Sequence, residues 1–154
     1  MNKFMKVAVE EAFNGMRKGD GGPFGAVIVK DGTIIAQAHN EVLKTNDPTM
    51  HAEVNAIRKA TKLLGRFDLS DCEIYSSCEP CPMCFAALHW AKMKKLYIGA
   101  SRFDAANIGF DDQYIYDVIN KTADHEQIEV ETIDCDFCRE PFHEWAKKQD
   151  KTQY

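Results

Sequence analysis

The dipeptide Asp31-Gly32 separates two runs of strand-forming residues, "AVIV" and "TIIAQAH". Asp-Gly tolerates the positive φ angles of a tight antiparallel turn, so the stretch predicts a β-hairpin. One antiparallel pair is therefore fixed early in the chain. Ahead of it, Phe4, Ala8 and Ala12 recur at helical spacing with Met5, Val9, Phe13 and Met16, which predicts an amphipathic helix over 2–17 ended by Gly19. After the hairpin, "NDPT" reads as a turn and N-cap leading into a helix over 51–64 closed by Gly65. "CEIYSS" is a third strand, and a helix starts near Pro80 to Pro82, where proline suits a first turn, and runs through "FAALHWAK". "KLYIGA" is a fourth strand, "SRFDAANIGFDD" a loop, "QYIYDVIN" a short helix, "IEVETI" a fifth strand and "PFHEWAKKQ" a terminal helix. Strands alternating with helices imply an α/β sandwich with a five-stranded mixed sheet.

At 154 residues the chain suits one domain spanning 1–154, with no repeat or low-complexity linker to divide it. The apolar runs are strand-length, which excludes a bilayer-spanning helix. Lys6, Glu10 and Glu11 interrupt the apolar residues near the N-terminus, where a signal peptide needs a continuous core, so the expected compartment is the cytoplasm. A net charge of −5 and no basic run longer than "KMKK" disfavour a nucleic-acid partner. Six cysteines without a secretion signal point to metal or thiol chemistry rather than to disulfides.

Three of the residues in "HAEVNAIRKA" and "SSCEPCPMC" make a metal set. A catalytic zinc site commonly takes three protein ligands, and His51, Cys81 and Cys84 supply one histidine and two thiols. Cys81 and Cys84 share a face at a helix start, where the helix end favours thiolate. His51 and Glu53 lie in another first turn, whose side chains tilt back past the helix end. Two helix N-termini would then converge on one ion, with Glu53 able to move protons to and from a water of lowered pKa. Each piece alone has a plainer reading: a capping histidine, buried cysteines, or a redox pair. Cys78, evenly spaced with Cys81 and Cys84, competes as a ligand but belongs to the preceding strand end. Cys135 and Cys138, with His143 nearby, form a rival cluster without a fourth strong ligand.

Taken together, His51-x-Glu53 and Pro80-Cys81-x-x-Cys84 match the signature of the zinc deaminases. The chain resembles the cytidine-deaminase-like zinc deaminases and, among them, the small bacterial guanine deaminases. The likeness runs nearly end to end, through "GGPFGAVIVKDG", "NDPTMHAEVNAIRKA", "SCEPCPMC", "DAANIGFDD" and the final Tyr154.

The resemblance implies a three-layer α/β/α sandwich, Zn²⁺ on His51, Cys81 and Cys84, and Glu53 as catalytic proton shuttle in the hydrolysis of guanine to xanthine and ammonia. Backbone N–H groups near Ala52 and Cys81 would hold the intermediate. Substrate contacts are expected from Asn40, which both donates and accepts, from Phe24 and Trp90 by stacking, and from Asp112, with Asp104 and Asp111 as near competitors. The family further implies a homodimer in which a C-terminal segment, about 137–154, crosses to the partner so that Tyr154 closes its pocket. A frayed tail is the plain alternative. Rival activities are deamination of guanosine, cytosine, an aminated triazine or tRNA adenosine. A non-catalytic zinc module would have no use for Glu53.

Overall fold

The computed structural model describes residues 1–125 and 127–153. Helix α1 (Lys3–Lys18) starts at Asn2, whose side-chain oxygen accepts from the N–H groups of Phe4 and Met5, and it stops at Gly19. Strands β1 (Gly25–Lys30) and β2 (Thr33–His39) form the hairpin, with Asp31 at φ 48° and Gly32 at φ 74°. Then come α2 (Val42–Thr45), α3 (Ala52–Leu64), β3 (Cys72–Cys78), α4 (Pro82–Trp90), β4 (Lys95–Ala100), α5 (Arg102–Ala106), α6 (Gln113–Asn120) and α7 (Cys135–Lys147).

The sheet has four strands in the order β2-β1-β3-β4. β1 pairs antiparallel with β2 and β3, and β3 pairs parallel with β4. Alternation along β1 sends Ala26 and Ile28 to one face and Val27 and Val29 to the other. On the first face they meet Ile74, Leu88 and the alanine stripe Ala52, Ala56 and Ala60 of α3. Small side chains at four-residue spacing let that helix lie close on the strands. On the second face Val27, Val29 and Tyr75 pack with Ala8, Phe4 and Met5 of α1.

Several expected elements come out differently. The fifth strand at 128–133 is absent among the described residues: the segment is irregular, and Ile128, Val130 and Ile133 are exposed. Alternating apolar residues favour extended chain, but a strand forms only where it pairs, and 128–133 pairs with neither outer strand of the sheet. The terminal helix starts at Cys135 rather than at Pro141, which lies inside it, so one helix hydrogen bond is forgone rather than the helix begun there. Within the expected loop at 101–112, Ser101 and Asp104 form a capping box that starts α5. Helix α2 was not anticipated. α7 buries no residue, and Phe137, Phe142 and Trp145 on it are exposed. No helix among the described residues is long and apolar enough to cross a membrane.

Ile28 is fully buried in a strand paired on both sides. Ile28→Ala is expected to cost about 3 kcal/mol, measured as a lower urea midpoint at an unchanged slope.

Candidate metal centre and active site

Two helix starts face each other at one end of the sheet. The turn before α3 is held by Asp47, whose Oδ1 accepts from Thr49 N at 2.8 Å and Thr49 Oγ1 at 2.6 Å. His51 is the N-cap of α3, yet its side chain makes no capping bond, so the ring is free to face outward. Cys81 is likewise an N-cap without a side-chain cap, ahead of Pro82 in the first turn of α4, and Cys84 is buried in that turn. His51 Nδ1 lies 3.5 Å from Cys81 Sγ and 3.6 Å from Cys84 Sγ. Tetrahedral bonds of roughly 2.3 Å to sulfur and 2.05 Å to nitrogen would hold N and S about 3.6 Å apart. The three donors therefore fit a tetrahedral ion, with one position left for another ligand.

Charge is already arranged for such an ion. A hydrogen bond from the Cys84 thiol, and next to it His51, brings Cys81 down to about 4. The same bond, together with burial, holds Cys84 up. The Cys81 contact raises His51. Glu53 is almost fully buried beside them, and burial pushes its carboxyl above the usual range. Ser76 Oγ donates to Glu53 Oε1 at 3.2 Å.

Beside these groups opens a cavity of about 380 Å³ lined by Phe24, Asn40, His51, Glu53, Cys81 and Asp112, with Glu79 and Phe110 among the other walls. Phe24 meets Phe110 edge-on, their ring centroids 4.9 Å apart. Asn40 is buried, and its Oδ1 accepts from Val42 N at 3.1 Å and, more weakly, from Gly22 N at 3.4 Å. The Gly-rich loop wraps this side chain so closely that a Cβ on Gly21 would stand 2.0 Å from Asn40 Oδ1. Glycine is required there by space. Ala52, the first residue of α3, is fully buried, with its N–H among those a helix leaves without an internal partner.

Of the three candidate aspartates, Asp112 lines the cavity, and burial raises its carboxyl. Asp104 is engaged in the α5 capping box, and Asp111 Oδ1 accepts from Gln113 N. Trp90 is not brought to this cavity. It is 66% exposed at the far end of α4, about 13 Å along the axis from Cys81. Tyr154 lies outside the described residues. Cys78 takes no part in the donor cluster: its Sγ contacts Ser101 O at 3.5 Å, and burial pushes its thiol up to about 11. Among the described residues, metal-ligating groups converge at His51, Cys81 and Cys84 and at Asp20, His39 and Glu41; Cys135, Cys138 and His143 are in neither cluster.

Glu79, Phe110 and Ser76 were not singled out from the sequence. Glu79 and Phe110 stand inside "SCEPC" and "GFDD", but their chemistry depends on contacts with distant residues. Glu79 Oε2, for example, accepts from Arg102 N at 3.1 Å.

Comparison with known proteins agrees with this geometry. Residues 1–100 match the family described as the cytidine and deoxycytidylate deaminase zinc-binding region. The chain is 50% identical over 151 residues to the guanine deaminase of Bacillus subtilis strain 168, covering 98% of this chain and 97% of that protein. The X-ray structure of a B. subtilis guanine deaminase superposes with a TM-score of 0.93 at 49% identity, covering 100% of this chain and 99% of the other. A tRNA-specific adenosine deaminase of Aquifex aeolicus is 45% identical over 97 residues, 63% of this chain and 64% of that one. A protein solved with 2,6-diaminopurine aligns with a TM-score of 0.67 at 34% identity, over 71% of this chain and 61% of its own. With the family's zinc-binding region matched across both helix starts, the chain belongs to the cytidine and deoxycytidylate deaminase family.

Proposed function

We propose that the protein is a zinc-dependent guanine deaminase, converting guanine and water to xanthine and ammonia. The observation that carries this reading is the triad of His51, Cys81 and Cys84 with buried Glu53 beside it in one cavity. The choice of guanine is supported by likeness to the B. subtilis enzyme over 98% of the chain, beyond the family's shared region at 1–100. The three-layer α/β/α sandwich we assign is supported by the apolar clusters on the two sheet faces. A reducing compartment, the cytoplasm, suits the six cysteines, all of them free thiols.

His51, Cys81 and Cys84 would hold Zn²⁺, which when bound supplies a Lewis acid able to activate water near neutral pH. Glu53 takes one proton from the attacking water and gives it to the ring nitrogen, then takes the second from the resulting hydroxyl and gives it to the departing amine, so that the carbon–nitrogen bond breaks and leaves xanthine and ammonia. Ser76 donates to one Glu53 oxygen and so helps to hold the carboxyl in place. Because the Asn40 amide oxygen is occupied by backbone N–H groups, its NH₂ is the donor for an acceptor on the purine edge. Asp112, when ionised, accepts from the guanine N–H groups. Phe24 packs against the base, and the Ala52 N–H stabilises charge developing on the reacting centre.

We assign the active form as a homodimer in which the segment 137–154 crosses to the partner and Tyr154 covers its pocket. Support comes from α7, whose Phe137, Phe142 and Trp145 are exposed in the single chain.

Ammonia release by the zinc-loaded protein is measured against guanine, guanosine, cytosine, adenine and tRNA. Guanine is expected to react fastest; zinc bound without guanine turnover overturns the reading. Glu53→Gln is expected to keep one zinc per chain while kcat falls about 10³-fold, whereas Cys84→Ser loses the metal, both read by elemental analysis beside the assay. Deleting 137–154 is expected to convert a dimer to a monomer by light scattering and to abolish turnover. Unchanged size and kinetics would support a frayed tail instead.

A further inference from the structure

Behind Asn40 lies a shielded cluster that the mechanism above does not use. His39, the last residue of β2, lays its ring against α1: a Cβ on Gly15 would meet the ring Cδ2 at 2.5 Å and Cγ at 2.6 Å. Alpha-helix α1 thus carries glycine where the imidazole passes. Nδ1 is 2.9 Å from Glu11 Oε2 on α1, and Nε2 is 2.9 Å from Asp20 Oδ2 in the Gly-rich loop. A neutral imidazole has one donor, and carboxylates only accept, so both contacts are hydrogen bonds only when each ring nitrogen carries a proton. Glu41 Oε1 stands 3.8 Å from Nε2, and Lys44 Nζ reaches Glu41 at 2.5 Å and Asp20 at 3.8 Å. The side chains of His39, Glu11, Asp20 and Glu41 are between 12% and 16% exposed, which limits screening by solvent and salt.

This cluster is wired to both sides of Asn40. On one side, Asp20 O accepts from Leu43 N and Lys44 N, and its loop continues into Gly21 and Gly22 around the Asn40 oxygen. On the other, Glu41 Oε2 accepts from Asn55 Nδ2 at 2.7 Å, and Asn55 N donates to His51 O at 2.9 Å. One imidazole therefore ties α1 and the Gly-rich loop to the end of β2, beside the Asn40 amide oxygen that Gly22 N and Val42 N hold.

We propose that His39 is a positioning residue for Asn40, acting as a two-sided clamp between Glu11 and Asp20 that sets how tightly the base is held. The proposal rests on the reading of Asn40 as a base contact. It places His39 in substrate binding and outside proton transfer.

The test is a double-mutant cycle between His39→Leu and Asn40→Ala, read in KM and kcat for guanine with zinc content as control. His39→Leu is expected to raise KM about tenfold with kcat within about threefold, and to change KM less than about twofold once Asn40 is alanine. His39→Gln, which keeps a donor, should recover part of the loss. An equal rise in KM in both backgrounds, or a loss confined to kcat, overturns the proposal. Asp20→Asn, which weakens one arm of the clamp and keeps the ring, serves if His39→Leu does not fold, and the same KM pattern is required of it. A ligand-free arm separates this inference from the choice of substrate. In ¹H–¹⁵N spectra of the zinc-loaded protein, the Asn40 side-chain NH₂ pair is expected to shift and broaden in His39→Gln. An unmoved pair overturns the clamp whichever base is turned over, while absent guanine turnover by the unaltered protein bears on the substrate reading alone.

Discussion

The separations of 3.5 and 3.6 Å between His51 Nδ1 and the two sulfurs set a tolerance that the rest of the fold must meet. The donors come from two helix starts 30 residues apart in sequence, so α3 and α4 must be held at a fixed offset. Both are docked on the same sheet face, where Ala52, Ala56 and Ala60 of α3 and Leu88 of α4 join Ile28 and Ile74 in one buried cluster. Metal donors thus inherit their precision from apolar packing, which resists small displacements because cores are close-packed.

The same placement governs the charge balance. Helix N-termini carry partial positive charge, and each of the two ends holds a group that can become an anion: Glu53 in the first turn of α3, and Cys81 at the N-cap of α4. Burial opposes ionisation of Glu53, whereas the hydrogen-bonded surroundings of Cys81 favour it. One group is thereby disposed to carry a proton and the other to give one up, although both stand at helix N-termini.

Much of this was legible in sequence because the signals were local. Asp31-Gly32 fixed the hairpin, Gly19 and Gly65 ended α1 and α3, and the spacing of His51, Glu53, Cys81 and Cys84 placed them at helix starts. The failures lie where a partner decides. "IEVETI" has strand character but pairs with no strand among the described residues, and Trp90 stands at the far end of α4, away from the cavity of the single chain. The orientation of Asn40 was only partly within reach: Val42 N, two residues on, is a local contact, but Gly22 N, 18 residues away, also approaches the amide oxygen. Pro141 misled for a related reason: proline favours a first turn but does not compel one.

The three-residue spacing of Cys81 and Cys84 has a cost as well as a use. Residues three apart at a helix start stand close enough to share one ion, and also close enough to share a covalent bond with each other. Coordination and oxidation thus draw on the same pair of sulfur atoms. Zn²⁺ held by His51, Cys81 and Cys84 would occupy the same two sulfurs that a disulfide would join, so metal binding and oxidation would exclude each other.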